Sequence, residues 1–142
     1  MNELAPAFSG LAAHALDQLS VSIVITDADL ARRGGPRIIY ANDAMLRTTG
    51  YSLQELMGRS PKIFQGPDTD REVASRIIQQ LRAGEEVLET ILNYAKDGTP
   101  YWSELKISPV RDDDETIIAY LSIQHDLTRL REVKEQYDRD LR

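Results

Sequence analysis

At 142 residues, with 42% hydrophobic and 28% charged side chains, the chain has the size and composition of one globular domain with a sizeable core. No stretch approaches the roughly 20 apolar residues of a membrane span, and a net charge of −6 without a basic patch sets nucleic acid aside, since Arg32-Arg33 is only a pair. The chain has no cysteine, which removes disulfides, cysteine-ligated zinc and thiol nucleophiles.

The N-terminus, Met1-Asn2-Glu3-Leu4, lacks the basic start and apolar centre of a secretory signal, so a cytoplasmic location is expected. Leu4, Phe8, Leu11, Ala12, Ala15, Leu16 and Leu19 recur at spacings of three and four and predict a flanking helix over residues 1–19, slightly weakened by Gly10. Val21 to Asp27 is compact and β-branched and reads as a strand. A loop through Arg32-Arg33-Gly34-Gly35-Pro36 leads to a short second strand, Ile38 to Ala41.

Asn42-Asp43 starts a helix that Gly50 stops, and Ser52-Leu53-Gln54-Glu55 has the spacing of a capping box. A second such box, Thr69-Asp70-Arg71-Glu72, opens a longer helix through Arg82-Ala83, with Gly84 as its stop. The intervening Gly58 to Pro67 is rich in turn formers and is expected to be irregular. From residue 87 the period changes to two: Val87 to Tyr94 and Tyr101 to Val110 flank the Asp97-Gly98 turn. Asp112 to Glu115 is an acidic turn, a solvated one because it lacks the spaced ligands of a calcium loop. A last strand, Thr116 to Asp126, feeds a charged terminal helix over residues 128–142. The plan is α+β, with a five-stranded antiparallel sheet, short helices on one face and flanking helices at both ends.

Alternation places Ser103, Leu105 and Ile107 on one face of the fourth strand, Ile118, Tyr120, Ser122 and Gln124 on one face of the fifth, and Ile91 and Asn93 on one face of the third. An interior with a few polar groups among apolar ones is how small-molecule sites are built. In a crowded core the same amides simply satisfy backbone groups. The opposite face of the fifth strand, Ile117, Ala119, Leu121 and Ile123, is apolar and needs cover, for which the terminal helices are the candidates. In the last helix Leu127, Leu130, Val133, Tyr137 and Leu141 approximate a three-four repeat, fitting either a cap on its own sheet or a dimer seam. His14 and His125, separated and without cysteine partners, make no metal site. Trp102 reads as a packing residue opposite Ser103. No hydrolase arrangement, P-loop or dinucleotide fingerprint is present, so enzymatic turnover is not expected.

Three motifs carry a family resemblance. Gly58-Arg59-Ser60-Pro61-Lys62-Ile63-Phe64-Gln65-Gly66-Pro67-Asp68-Thr69-Asp70, Leu92 to Trp102 and Leu121-Ser122-Ile123-Gln124 are similar to the signatures of the light-oxygen-voltage (LOV) branch of PAS domains, and Asp126-Leu127-Thr128 to the family's strand-to-helix exit. The resemblance implies a PAS core over residues 20–127, a signalling helix over 128–142 and flavin mononucleotide (FMN) as cofactor.

It also implies roles for particular residues. Asn93, Gln124 and Gln65 stand where amides meet the flavin's pyrimidine edge, which both gives and accepts hydrogen bonds. Ser103 stands at a position that is usually asparagine. Pro61 occupies the site of the photoreactive cysteine, so no cysteinyl adduct can form, and Ser60 replaces the adjoining asparagine. Lys62 replaces a phosphate-pairing arginine, keeping the charge without the bidentate fork. At the second phosphate-arginine position stands Ile78, and Arg76 lies two residues away, about 200° around a helix. Riboflavin or an empty pocket are the alternatives this altered phosphate site leaves open.

The expected mechanism is a flavin redox or photoreduction signal passed through Gln124 to Leu121 and Ile123, on the helix-facing side of the same strand. A homodimer through the terminal helices is the expected assembly, with the downstream partner unspecified. A flavin-free dimerisation or relay module, or a sensor of another small metabolite, is the alternative function.

Overall fold

A computed structural model describes residues 10–142. Its elements are α1 (Leu11–Asp17), β1 (Ser22–Thr26), β2 (Ile38–Ala41), α2 (Asp43–Thr49), α3 (Leu53–Leu56), a 3-10 turn (Pro61–Phe64), α4 (Arg71–Arg82), β3 (Val87–Tyr94), β4 (Pro100–Arg111), β5 (Ile117–Asp126) and α5 (Thr128–Asp140). The strands form one sheet in the order β2-β1-β5-β4-β3, with every neighbouring pair antiparallel. β1, the most β-branched segment, lies between β2 and β5 and is buried along its whole length.

Asn42 is the joint between sheet and helices. Its Oδ1 accepts from the backbone N–H of Met45 (3.1 Å), capping α2, and of Ile23 (2.9 Å) in β1. Its Nδ2 donates to the carbonyls of Leu16 and Val21. One fully buried amide thereby ties α1, β1 and α2 together. Gly50 takes φ 78 at the end of α2, a conformation that favours glycine. The capping box on α3 forms as its spacing predicts, with Ser52 and Glu55 exchanging side-chain bonds.

The inner face of the sheet carries two apolar clusters. Val24, Ile38, Ala41, Met45, Leu56 and Phe64 form one beneath α2, α3 and the 3-10 turn. Ile77 and Leu81 of α4 pack on Val87, Ile91, Leu105 and Tyr120 in the other. On the outer face, among the described residues, the apolar cluster lies where α1 meets β1, β2 and β5. There Ala13 and Leu16 of α1 pack on Ile23, Ile25, Tyr40 and Ala119. The Tyr40 hydroxyl fastens the helix by donating to Asp17 Oδ1 at 2.6 Å. Leu4 and Phe8 of the expected stripe lie outside the described residues.

Three expectations need correction. Residues Pro61 to Phe64 are regular after all, as a 3-10 turn, because Pro61 suits its first position and Ser60 Oγ caps it by accepting from Lys62 N–H. Thr69 does not cap α4. Asp70 does, accepting from Glu72 and Val73 N–H, while the buried Thr69 hydroxyl donates to the Leu92 carbonyl (2.7 Å) and accepts from Gly66 N–H. A bulge on β5, where Val110 faces Ala119 but Arg111 faces Ile117, breaks the alternation at Ile118. Ile117 therefore packs with the inner cluster instead of the outer face. Of the two readings left open for the terminal helix, a cap on its own sheet finds no support beyond its first turn, for Leu130, Val133, Tyr137 and Leu141 are 58–70% exposed.

Candidate functional site

Between the two inner-face clusters lies a cavity of about 330 Å³. That is within the range of small-molecule sites. The sheet supplies its floor through Asn93, Ser122 and Gln124, the 3-10 turn one wall through Ser60 to Lys62 and Gln65, and α4 another through Arg71, Ser75 and Ile78. Gly34 and Pro36 of the β1–β2 loop reach its edge. Sequence spacing could not place that loop, since nothing periodic runs through it.

Asn93 and Gln124 are 4% and 8% exposed, so both amides sit inside the fold. The Gln124 carboxamide is held on both sides. Ser103 Oγ donates to its Oε1 at 3.3 Å, and its Nε2 donates to Ser122 Oγ at 3.2 Å. Ser103 itself stands one layer behind the cavity wall, 1% exposed. Asn93 lies opposite Tyr101 in the β3–β4 pair. Burial pushes the Tyr101 phenol upward, Asn93 working against it. Close as the two are, the enclosed Tyr101 hydroxyl finds no hydrogen-bond partner of acceptable geometry.

The wall opposite is built differently from the expectation. Ser60 spends its hydroxyl on structure, donating to the Gly34 carbonyl at 2.9 Å and so tying the β1–β2 loop to the 3-10 turn. Pro61 lines the cavity with an inert ring. Gln65 Oε1 accepts from Arg71 Nη1 at 2.8 Å. Arg71 was not singled out by motif, because only the chain reversal at Gly66-Pro67 brings the start of α4 back onto Gln65. Ile78 does line the cavity, whereas Arg76 turns away and grips Glu89 with two bonds of 2.6 and 2.9 Å.

The β1–β2 loop is held by Asp27. Its carboxylate, 5% exposed as a residue, accepts from the N–H groups of Asp29 and Arg37 and from Arg32 Nη1 at 2.8 Å. Burial acts to raise the Asp27 carboxyl, yet the Arg32 guanidinium and the two N–H groups outweigh it and hold the group below its ordinary value.

Leu121 and Ile123 face away from the cavity, in the outer cluster, as alternation requires. The exit from β5 is stitched to β4 at Trp102, whose N–H donates to Thr128 Oγ1 and whose carbonyl accepts from Leu127 N–H, both at 2.8 Å. Arg131 stacks over the Trp102 ring at 4.1 Å. The start of α5 is thus bonded to the residue preceding Ser103. No helix among the described residues is long and apolar enough to cross a membrane.

Comparison with known proteins agrees with the architecture. The PAS domain family profile matches residues 20–129. Phototropin-2 of Oryza sativa subsp. japonica is 36% identical over 118 residues, covering 83% of this chain and 13% of that protein. A blue-light-activated histidine kinase of Rhizobium johnstonii is 36% identical over 124 residues, covering 87% of this chain and 35% of that protein. The chain thus spans a small part of these relatives. The solved LOV domain of the Erythrobacter litoralis EL346 blue-light activated histidine kinase superposes with a TM-score of 0.71 at 35% identity, over 78% of this chain and 99% of that one. The chain belongs to the PAS domain family, in its light-oxygen-voltage branch, and it is a member without cysteine.

Proposed function

We propose that this domain is a flavin-binding photosensory module that signals without a cysteinyl adduct, with residues 20–127 as sensor core and α1 and residues 128–142 as its flanking elements. The observation that carries the reading is the cavity with two buried amides, Asn93 and Gln124, on its floor and Pro61 in its wall. These residues fit a flavin: amides both donate and accept, matching a pyrimidine edge, while the apolar cluster residues suit a flat aromatic ring. Bound flavin would supply light absorption and one-electron redox chemistry.

The chain's own part is to sense the hydrogen-bonding character of that ring. Gln124 is flanked by two hydroxyls, and a hydroxyl can donate or accept. A half-turn of the amide, exchanging Oε1 and Nε2, therefore leaves Ser103 and Ser122 satisfied in either orientation. Two orientations of similar energy are what a switch requires. The change reaches α5 along β5, through Leu121 and Ile123 on the opposite face, and through Ser103 to Trp102 and its bonds to Leu127 and Thr128.

The output we infer is a homodimer rearrangement through the terminal helices. The exposed stripe Leu130, Val133, Tyr137 and Leu141 supports it. Burying such side chains yields about 1.5–3 kcal/mol each when complete. No turnover chemistry is assigned to the domain.

An absorbance spectrum of the freshly purified protein tests the reading. The expected result is a blue-region flavin band that bleaches under illumination with a reductant and recovers in air. Colourless protein that resists reconstitution with either FMN or riboflavin overturns it in favour of a flavin-free relay module or a sensor of another metabolite.

A further inference from the structure

We infer that Arg71 is the anion-binding residue of this cavity, selecting a phosphorylated flavin over riboflavin, and that it takes the place of the guanidinium missing at Ile78. The inference rests on the flavin reading above. Lys62 and Arg71 both line the cavity. In a chain with 23 acidic residues and a net charge of −6, neither of these cations forms an ion pair among the described residues. Five of the 17 Lys and Arg residues form ion pairs among the described residues, so what sets Lys62 and Arg71 apart from the other unpaired cations is their place at the cavity wall.

The acids closest in sequence do not serve Arg71. Asp70 spends its carboxylate on the first turn of α4. What Arg71 holds instead are neutral acceptors, Gln65 Oε1 at 2.8 Å and the Gly66 carbonyl at 3.3 Å. A guanidinium fork bonded to neutral oxygens has a much stronger partner in a phosphate monoester, which offers charged oxygens with matching bidentate geometry. Ser75, one turn further along α4 and also at the cavity wall, adds a hydroxyl donor.

The exchange has a second effect. When an anion takes the Arg71 fork, Gln65 Oε1 loses its donor and the amide is free to turn toward the cavity. Arg71 thus couples recognition of the phosphate to release of a ring-facing amide. Arg76 cannot substitute, because both of its bonds go to Glu89.

The test is equilibrium titration of flavin-stripped protein with FMN and with riboflavin, followed by fluorescence quenching, for wild type, Arg71→Ala and Gln65→Ala. Wild type is expected to prefer FMN by about tenfold or more, the weight of a charge-assisted bond. Arg71→Ala is expected to lose that preference through weaker FMN binding, with riboflavin affinity within about twofold of wild type. Gln65→Ala keeps the preference, since the guanidinium remains. Thermal unfolding of ligand-free Arg71→Ala checks that its fold is intact. Equal losses for both flavins in Arg71→Ala, or no preference in wild type, overturn the assignment alone. Wild-type protein that takes up neither flavin overturns the assignment together with the flavin reading.

Discussion

Ser103 Oγ donates to Gln124 Oε1 at 3.3 Å from a position two residues out of register, since Leu105 is the direct cross-strand neighbour of Gln124 and Ser103 faces Asp126. The diagonal contact brings a residue behind the cavity wall into the hydrogen-bond network of one that lines it. Gln124→Leu removes both amide bonds and leaves the buried Ser103 hydroxyl without its acceptor, at a cost of about 1–3 kcal/mol by urea unfolding. It is also expected to blunt any light-induced change in proteolytic cleavage of α5. A full-sized change in that variant would refute Gln124 as the relay.

Gly66 passes under the ring of Tyr94 so closely that an added Cβ would sit 2.2 Å from Cδ1. The ring cannot easily withdraw, because its hydroxyl accepts from Asp68 N–H at 3.0 Å. Gly66→Ala is expected to destabilise the fold by about 1–3 kcal/mol, as overpacking commonly does. Its urea midpoint reads the loss. Adding Tyr94→Ala should recover part of it, since the clash is then gone, and a double variant no better than additive would count against this contact.

Asp27 provides a pH test whose sign follows from its environment. Its carboxyl lies below its ordinary value of 3.8 in the folded chain, so its contribution is fully present above about pH 4 and is lost as the pH falls through the folded value. Asp27→Asn removes that contribution at every pH. Wild type should therefore exceed the variant in stability at pH 7, with the difference shrinking below pH 4. Denaturation curves at pH 7 and pH 3 measure it, and a gap that stays constant across this range would remove Asp27 from the account. The variant should also loosen the β1–β2 loop that reaches the cavity at Gly34 and Pro36.

The apolar stripe on α5 gives a prediction about assembly. Leu130→Glu with Tyr137→Glu places charge where a dimer seam would bury it, and sedimentation should show the dimer falling to monomer at micromolar concentration. The core should be untouched, because both side chains are more than 60% exposed in the single chain. Persistence of the dimer would move the seam elsewhere, with the partly buried outer face around Leu121 and Ile123 as the next surface to probe.

Local signals made much of this protein legible in its sequence. The caps at Asn42 and Ser52, the glycine stops and the period of two from residue 87 each act within a few residues, so they survive as readable patterns. They placed Asn93 and Gln124 on the interior and Leu121 and Ile123 opposite. Alternation failed only at Ile117 and Ile118, where a bulge inserts a residue that no composition marks.

The residue types themselves settled, without any coordinates, that the chain carries no thiol, because position 61 is proline and no cysteine is present. Only the tertiary structure decided which polar groups meet: Arg71 with Gln65, Ser60 with Gly34, Arg76 with Glu89, and α1 rather than α5 against the sheet. Those pairings depend on where loops reverse and how elements stack, which are set by contacts distant along the chain and leave no period to read.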